Sequence, residues 1–190
     1  MKASEVTAVI VTRGNVDLEP ILATLPYDDV VVWDNSRHAF DSKCYGRFLA
    51  IGEAKNEVIY FQDDDILFTE HEVLLAAYEP GRITANMPSP WYETNGYDKL
   101  GCALVGAGSL VPRDLPWPAL DRYLAEYPAD DLFLTYCDLV HGILTPSKRF
   151  DFGYTILPYA SAPGRIYTTP GAAERRAEFL ARVLDIRDQR

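Results

Sequence analysis

The chain has 190 residues, of which 48% are hydrophobic and 12% aromatic, so it is large and apolar enough for one folded domain, and intrinsic disorder is excluded. Its formal net charge of −10 excludes nucleic-acid binding through a basic patch. No apolar run approaches the roughly 20 residues of a membrane span. Three widely spaced cysteines without metal-ligand spacing, and the absence of a signal-peptide pattern before the first strand, predict a reduced, cytoplasmic protein.

The first half of the chain alternates predicted strands and helices. Val6–Thr12, Val30–Trp33 and Val58–Gln62 are dense in Val, Ile and aromatic residues, as is typical of strands, and Val6–Thr12 has the continuous apolar run of a strand covered on both faces. Between them, leucines recur at helical spacing over residues 18–25, and residues 45–54 have a helical pattern. This β-α-β-α-β order predicts right-handed crossovers and a parallel sheet.

The second half is less regular. Thr69 and Glu72 have the spacing of a capping box, and Thr169 followed by Pro170 has the form of a helix start. Residues 150–167, rich in aromatic residues, Pro and Gly, have no assignable pattern. The predicted elements are a helix over Val73–Tyr78, strands over Arg82–Asn86 and Cys102–Val111, and helices over Ala119–Glu126, Asp131–Val140 and from Thr169 to about Ile186.

Three consecutive aspartates, Asp63, Asp64 and Asp65, directly follow the third predicted strand. Adjacent carboxylates repel one another, and none can be buried alone without cost, so folding does not call for them. Mg²⁺ and Mn²⁺ prefer carboxylate oxygens together with substrate phosphates, and ligands of open α/β sheets bind beyond the carboxyl ends of the strands. The cluster therefore predicts a Mn²⁺ or Mg²⁺ site; the alternative is an acidic loop tip that faces solvent.

Polar motifs follow each of the first two predicted strands, and an arginine lies on the helix before the third. These residues are Thr12, Arg13, Asp34, Asn35 and Arg47, and the aspartate cluster comes after them. In this order the chain resembles glycosyltransferases of the GT-A fold. Residues 47–55 are similar to family 2 glycosyltransferases, and residues 30–35 to exostosin-type transferases. Residues 106–108 and 130–132 match both in outline, so that the resemblance covers roughly residues 6–141.

The resemblance implies an α/β fold: a single GT-A (Rossmann-like) domain over residues 1–190, with a central, mostly parallel sheet flanked by helices. The nucleotide-binding half would comprise about residues 1–68, and the acceptor half about residues 69–190. The implied activity is a metal-dependent transfer of a hexosyl group from a nucleotide-sugar donor, with UDP-sugar expected, to an acceptor that the sequence does not identify. The cofactor would be Mn²⁺ or Mg²⁺, and inversion or retention of the anomeric configuration stays open.

The resemblance also implies roles for individual residues. Asp131 would be the general base at the start of a helix that Asp130 caps. His141 would be a metal ligand, although a histidine also suits a helix C-terminus. Apart from the resemblance, the aromatic rings of Trp91 and Tyr92, in a Pro-rich loop, would stack on a sugar or the acceptor, or anchor that loop to the core. The donor would contact Thr12, Arg13, Asp34, Asn35, Arg47, Asp63 and Asp64, and the metal would bind Asp65, Asp63 and His141.

Two other functions use some of the same features. A nucleotidyltransferase acting on a sugar phosphate has a similar sheet and a metal held by aspartates, but it typically begins with a Gly-rich phosphate loop, and the turn at residues 12–15 contains a single glycine. A binding module without turnover would keep the nucleotide or sugar site. Donor hydrolysis or transfer distinguishes the enzyme from such a module.

Overall fold

The structure is a computed structural model that describes residues 1–89, 93, 96–162 and 165–189. Its strands are β1 (Val6–Thr12), β2 (Asp29–Asp34), β3 (Val58–Asp63), β4 (Ile66–Leu67), β5 (Ile83–Asn86), β6 (Ala107–Pro112), β7 (Ser147–Phe150) and β8 (Thr155–Ile156). Its helices are α1 (Glu19–Leu22), α2 (Gly46–Leu49), α3 (His71–Ala77), α4 (Tyr97–Leu100), α5 (Pro116–Leu124), α6 (Asp131–Leu144) and α7 (Ala172–Asp188).

Six strands form the central sheet in the order β2-β1-β3-β6-β5-β7. Strand β1 is parallel to β2 and β3, and β5 is parallel to β7, whereas β6 is antiparallel to both β3 and β5. The carboxyl ends of β1, β2 and β3 therefore meet at one edge of the sheet. The predicted α/β fold, with a mostly parallel sheet flanked by helices, is confirmed.

The inner strands β1, β3, β5 and β6 are buried on both faces, which explains their continuous apolar runs. The edge strand β2, in contrast, exposes Val30 and Val32. Successive residues of β3 point to opposite sides: Phe61 joins the larger core with Phe133 and Phe179 from α6 and α7, whereas Tyr60 joins a smaller core with Leu74 from α3. Both cores are needed to hold the β3 terminus, and with it the aspartate cluster, in place.

The predicted capping box at Thr69 and Glu72 is wrong. Helix α3 begins at His71, and Glu70 occupies the N-cap position without a side-chain hydrogen bond to the helix. His71 is only 3% exposed. Its ring packs against those of Tyr27 and Phe68. Core packing of this histidine includes it in the helix, which therefore begins two residues before the predicted Val73.

The predicted cap of the last helix is also wrong. Helix α7 begins at Ala172, after Gly171 in a left-handed conformation with φ 76°. The Thr169 hydroxyl instead donates to the Arg165 carbonyl at 3.2 Å, so it closes the preceding turn. The hydrophobic face that fixes α7 includes the buried residues Phe179 and Val183.

The segment without an assignable pattern holds β8 and two short 3₁₀ turns, Pro158–Ser161 and Ile166–Thr168. We call residues 154–162 and 165–169 the strap. Strand β8 pairs antiparallel with β4, and the Leu157 N–H donates to the Asp65 carbonyl at 2.8 Å. The strap therefore lies directly beside the aspartate cluster.

Two further findings concern the described part of the chain. None of its helices has the length and apolar character needed to cross a membrane. Cys44, Cys102 and Cys137 are all free thiols.

Candidate functional site

A cleft with about 860 Å³ of space lies where β1, β2 and β3 end. We call it the central cleft. It brings together most of the polar residues that the sequence singles out, and it adds two charged residues from α6 and α7. The charged and polar side chains that line it include Thr12, Arg13, Asn35, Lys43, Arg47, Asp63, Asp64, Asp65, Asp138, Arg165 and Arg176.

Arg47 is a buried cation at the floor of the cleft. Its side chain is 3% exposed, and its Nη2 donates to Asp63 Oδ1 at 2.6 Å. Burial would lower the pKa of Arg47, but the adjacent carboxylates of Asp63 and Asp138 outweigh this effect and raise it. Its Nε and Nη1 are buried without a hydrogen-bond partner among the described residues. Unsatisfied buried donors are rare, and they point to a ligand that supplies acceptors.

Arg165 from the strap forms a second buried pair, with Asp64. Arg165 Nη1 lies 2.7 Å from Asp64 Oδ1, and the two side chains are 14% and 7% exposed. In the part of the chain that the structure describes, Arg165 Nη2 and Asp64 Oδ2 are buried and make no hydrogen bond. The middle aspartate therefore ties the strap to the cleft, a role that no sequence motif indicates.

The surroundings of Asp65 in the aspartate cluster disfavour the charged form of its carboxyl group. Burial and the negative charges of Asp63 and Asp64 raise the pKa of Asp65 to about 7, against the opposing effect of Arg165. Among the described residues, no three His, Cys, Asp or Glu side chains form a ready-made metal cage. A Mg²⁺-type site needs only one or two carboxylates besides substrate phosphates and water. Asp63 and Asp65 fit such an ion, because its charge would relieve their repulsion.

A glycine leaves room for the Asp63 carboxylate. The Gly106 carbonyl accepts a hydrogen bond from the Asp63 N–H at 2.8 Å. A Cβ atom at position 106 would lie 2.1 Å from Asp63 Oδ2. The β3–β6 register shifts between Phe61 and Gln62, immediately before this contact. Gly106, which the sequence resemblance includes, is thus needed for the position of Asp63.

Asp34 and Asn35 are engaged in local structure. The Asp34 carboxylate accepts from the backbone and hydroxyl of Ser36 at 3.0 and 2.7 Å and pairs with Arg37, and it does not line the central cleft. Asn35 does line the cleft. Its Oδ1 accepts from the Ser42 hydroxyl at 2.6 Å, and its Nδ2 donates to the Lys43 carbonyl at 3.1 Å. Asn35 therefore positions the loop that carries Lys43.

Asp131 lies in a second cavity, the side pocket, which has about 510 Å³ of space. It forms ion pairs with Lys43 and Arg175, whose hydrogen bonds lower its pKa. Asp130 caps α6 as predicted, because its Oδ1 accepts from the Phe133 N–H at 2.9 Å. Asp131, the expected base, is thus placed next to the central cleft but not in its lining.

His141 is not brought to the aspartate cluster. It is fully buried, its Nδ1 lies 3.0 Å from the Thr145 hydroxyl, and its ring packs edge-on against Phe48. Burial, followed by the charge of Arg47, lowers the pKa of His141 to about 3. The structure therefore places it as a neutral core residue. Trp91 and Tyr92 lie outside the described residues.

Several cleft residues, among them Asp138 and Arg176, were not predicted from the sequence. Asp138 lies on α6 seven residues after Asp131, two turns along the same face. Burial raises the pKa of Asp138. The positive charge of Arg47 opposes this shift, and the negative charge of Asp63 adds to it. Arg176 on α7 lies over the Tyr97 ring at 4.6 Å. The helical spacing of Asp131 and Asp138 was a usable signal, whereas Arg176 required knowledge of how α7 packs.

Searches of known protein families and of curated proteins find no match for this chain. Nine solved chains are similar in structure. One is the mannosyltransferase PcManGT from Pyrobaculum calidifontis in complex with GDP-Man and Mn²⁺, with a TM-score of 0.59 and 16% identity over 98% of this chain; the match spans 64% of that protein's chain. Another, A197 from STIV, has a TM-score of 0.44 and 11% identity, with 77% of this chain and 82% of that one covered. The likeness to PcManGT supports a Rossmann-like α/β fold, while the GT-A, family 2 and exostosin-type assignments stay predictions.

Proposed function

We propose that this chain is a metal-dependent glycosyltransferase that moves a sugar from a nucleotide-sugar donor to an acceptor. The observation that carries the proposal is a pair of arginines that line the cleft with the aspartate cluster: Arg47 and Arg165 both have buried nitrogens without a hydrogen-bond partner among the described residues. A diphosphate offers the acceptor oxygens that these guanidinium groups lack, in a charge-assisted geometry that arginine favours.

The same residues suit the chemistry of donor cleavage. The diphosphate gains negative charge as the bond to the sugar breaks, and Arg47 and Arg165 would stabilise that charge by hydrogen bonding inside the cleft. Asp63 and Asp65 would hold a divalent cation, which supplies Lewis-acid compensation of the leaving group. Arg176 adds a third guanidinium to the cleft lining.

An acceptor hydroxyl must lose its proton as its oxygen attacks the sugar. We infer that Asp138 receives this proton, because it lines the central cleft and burial raises the pKa of its carboxyl group, which makes the carboxylate a stronger base. Asp131, the base expected from the sequence, is held ionised by Lys43 and Arg175 in the side pocket. Asp131 stays the alternative general base, and substituting Asp131 and Asp138 separately distinguishes the two assignments.

The donor nucleotide is proposed to be UDP from the sequence resemblance, whereas the PcManGT structure contains GDP-Man. Both nucleotides therefore belong in the first experiment: isothermal titration of UDP and GDP in Mn²⁺ and in EDTA, on the wild type and Asp65→Ala. We expect UDP binding that requires both the metal and Asp65. The matched control is Asp28→Ala, which removes an exposed aspartate outside both cavities.

Each outcome of this titration is informative. Binding of GDP in place of UDP would support a glycosyltransferase whose donor is a GDP-sugar. A folded protein that binds neither nucleotide in a metal-dependent way would contradict the proposal and leave the aspartates as an acidic loop. Binding followed by release of free sugar from the donor distinguishes an enzyme from a binding module.

A further inference from the structure

We propose that the side pocket binds a phosphate group carried by the acceptor substrate. The inference rests on the proposed function, since it names the chemical class of the acceptor for that reaction. Three cationic side chains, Arg13, Lys43 and Arg175, line this pocket, and Asp131 is the carboxylate that faces them. Such a concentration of positive charge is unexpected on a chain with a net charge of −10 and indicates an anionic ligand.

The charges within the pocket are not balanced. Lys43 and Arg175 both pair with the single Asp131 carboxylate. Arg13, the third cation, is already paired with Asp41 at 3.1 Å. Lys43 and Arg175 alone therefore bring two positive charges to one carboxylate. A phosphate dianion matches that excess better than a carboxylate does.

Two helices add to the positive field. Asp131 and Ala172 are the first residues of α6 and α7, which are 14 and 17 residues long, and both line the side pocket. The N-terminus of a helix carries a partial positive charge, which favours bound anions. The helix starts and the three cationic side chains thus act in the same direction.

The position of the side pocket suits an acceptor. It adjoins the central cleft, because Arg13, Lys43, Thr135, Tyr136 and Ile166 line both cavities. A phosphate bound by Lys43 and Arg175 would hold the rest of the acceptor at the mouth of the central cleft, where orientation favours transfer. Asp131 occupies the anion position in the free protein and is displaced from the two cations when phosphate binds.

The test uses inorganic phosphate as the probe, titrated calorimetrically into metal-free protein and into protein saturated with UDP and Mg²⁺. We expect phosphate to bind in both states, since UDP fills the central cleft only. Arg175→Gln should weaken phosphate binding to the UDP-saturated protein by about tenfold or more, because it removes a charge-assisted hydrogen bond. Lys43→Gln provides a second variant in a different element.

Arg187→Gln is the matched control, because it changes a partly exposed arginine of the same helix that lies outside both cavities. Equal phosphate affinity in the wild type, Arg175→Gln and Lys43→Gln would overturn the proposal, as would complete loss of phosphate binding when UDP is bound. If neither nucleotide binds but phosphate binding still depends on Arg175, the proposed function fails and the phosphate site stands. The two failures are therefore distinguishable.

The acceptor phosphate could belong to a lipid or to a soluble compound, and a second arm separates these sources. Wild type and Arg175→Gln are sedimented with phosphatidylcholine vesicles that contain or lack phosphatidic acid. Co-sedimentation that requires both phosphatidic acid and Arg175 supports a lipid-borne phosphate. Phosphate binding in solution without such co-sedimentation supports a soluble phosphorylated acceptor.

Discussion

The space beside Asp63 is set by one glycine, and this makes Gly106 a sensitive position. We expect Gly106→Ala to push the Asp63 carboxylate away from Arg47, because the new Cβ would lie 2.1 Å from Asp63 Oδ2. The result should be a loss of about tenfold or more in metal-dependent UDP affinity, measured by isothermal titration. Gly52→Ala is the control, since its added Cβ meets nothing within 4 Å. Unchanged UDP affinity in Gly106→Ala would argue against a role for Asp63.

Substitution of two aspartates on α6 tests which one accepts the proton. We expect Asp138→Asn to lower the rate of sugar transfer by about 100-fold, the lower range for loss of general base catalysis, while UDP affinity changes little. Asp131→Asn should have the smaller effect on rate, because Asp131 faces the side pocket. Turnover at saturating donor is the measurement. The reverse ranking would return the base role to Asp131.

At the residue scale, the sequence predicted the location of those residues that directly follow the end of a strand. Thr12, Arg13 and the aspartate cluster reach the central cleft because parallel strands end at one edge. Asp34 does not, because the Ser36 turn captures its carboxylate. The place of Asp138 in the cleft depends on how helix α6 is oriented against the sheet. The sequence patterns that identify the strands carry no information on that orientation.

At the scale of elements, the strap is the part that sequence patterns could not assign. Strand β8 has two residues and pairs with the two-residue β4, about 90 positions away in the chain, so no local periodicity marks it. The Arg165–Asp64 pair and the Leu157–Asp65 hydrogen bond fix it over the cleft. The helix starts at His71 and Ala172 were missed because tertiary packing overrides local capping signals. The long apolar strands, in contrast, were predicted to within a few residues.

Substitution of Arg165 tests two roles of this residue, one in UDP binding and one in fixing the strap. Arg165→Met should weaken UDP binding about tenfold, because it removes a cation from the cleft, and it should loosen the strap, because Asp64 loses its partner. Titration gives the first effect, and faster amide exchange at Ile156 and Leu157 gives the second. Arg187→Met, on the exposed side of α7, controls for the loss of a positive charge. Normal exchange in Arg165→Met would mean that β4–β8 pairing alone holds the strap.

For the molecule as a whole, buried ionisable groups set the response of stability to pH. Burial lowers the pKa of His71 to about 4 and that of His141, with a further effect of Arg47, to about 3, below the value of about 6.5 in an unfolded chain. Their contribution to stability is therefore complete above pH 6.5 and is lost as the pH falls towards 4. Asp65 and Asp138, whose pKa values are raised, oppose this trend because they disfavour the folded state at higher pH.

Because these effects oppose one another, comparing the wild type with a single variant is more informative than the pH dependence of wild-type stability alone. We expect the difference in free energy of unfolding between the wild type and His71→Gln to fall by about 2 kcal/mol from pH 7.5 to pH 5, because only the wild type protonates this histidine on unfolding. Urea unfolding of the metal-free proteins at both pH values measures it. A difference that does not vary with pH would show that His71 does not stay neutral in the folded state.

The two cavities share a wall, since Ile166 of the strap lines both. The strap is joined to Asp64 through Arg165 and to the Asp65 carbonyl through Leu157. A ligand that shifts these aspartates therefore shifts the boundary of the side pocket, and the two binding equilibria share a coupling free energy. By thermodynamic reciprocity, phosphate must then change the affinity for UDP by the same factor by which UDP changes the affinity for phosphate.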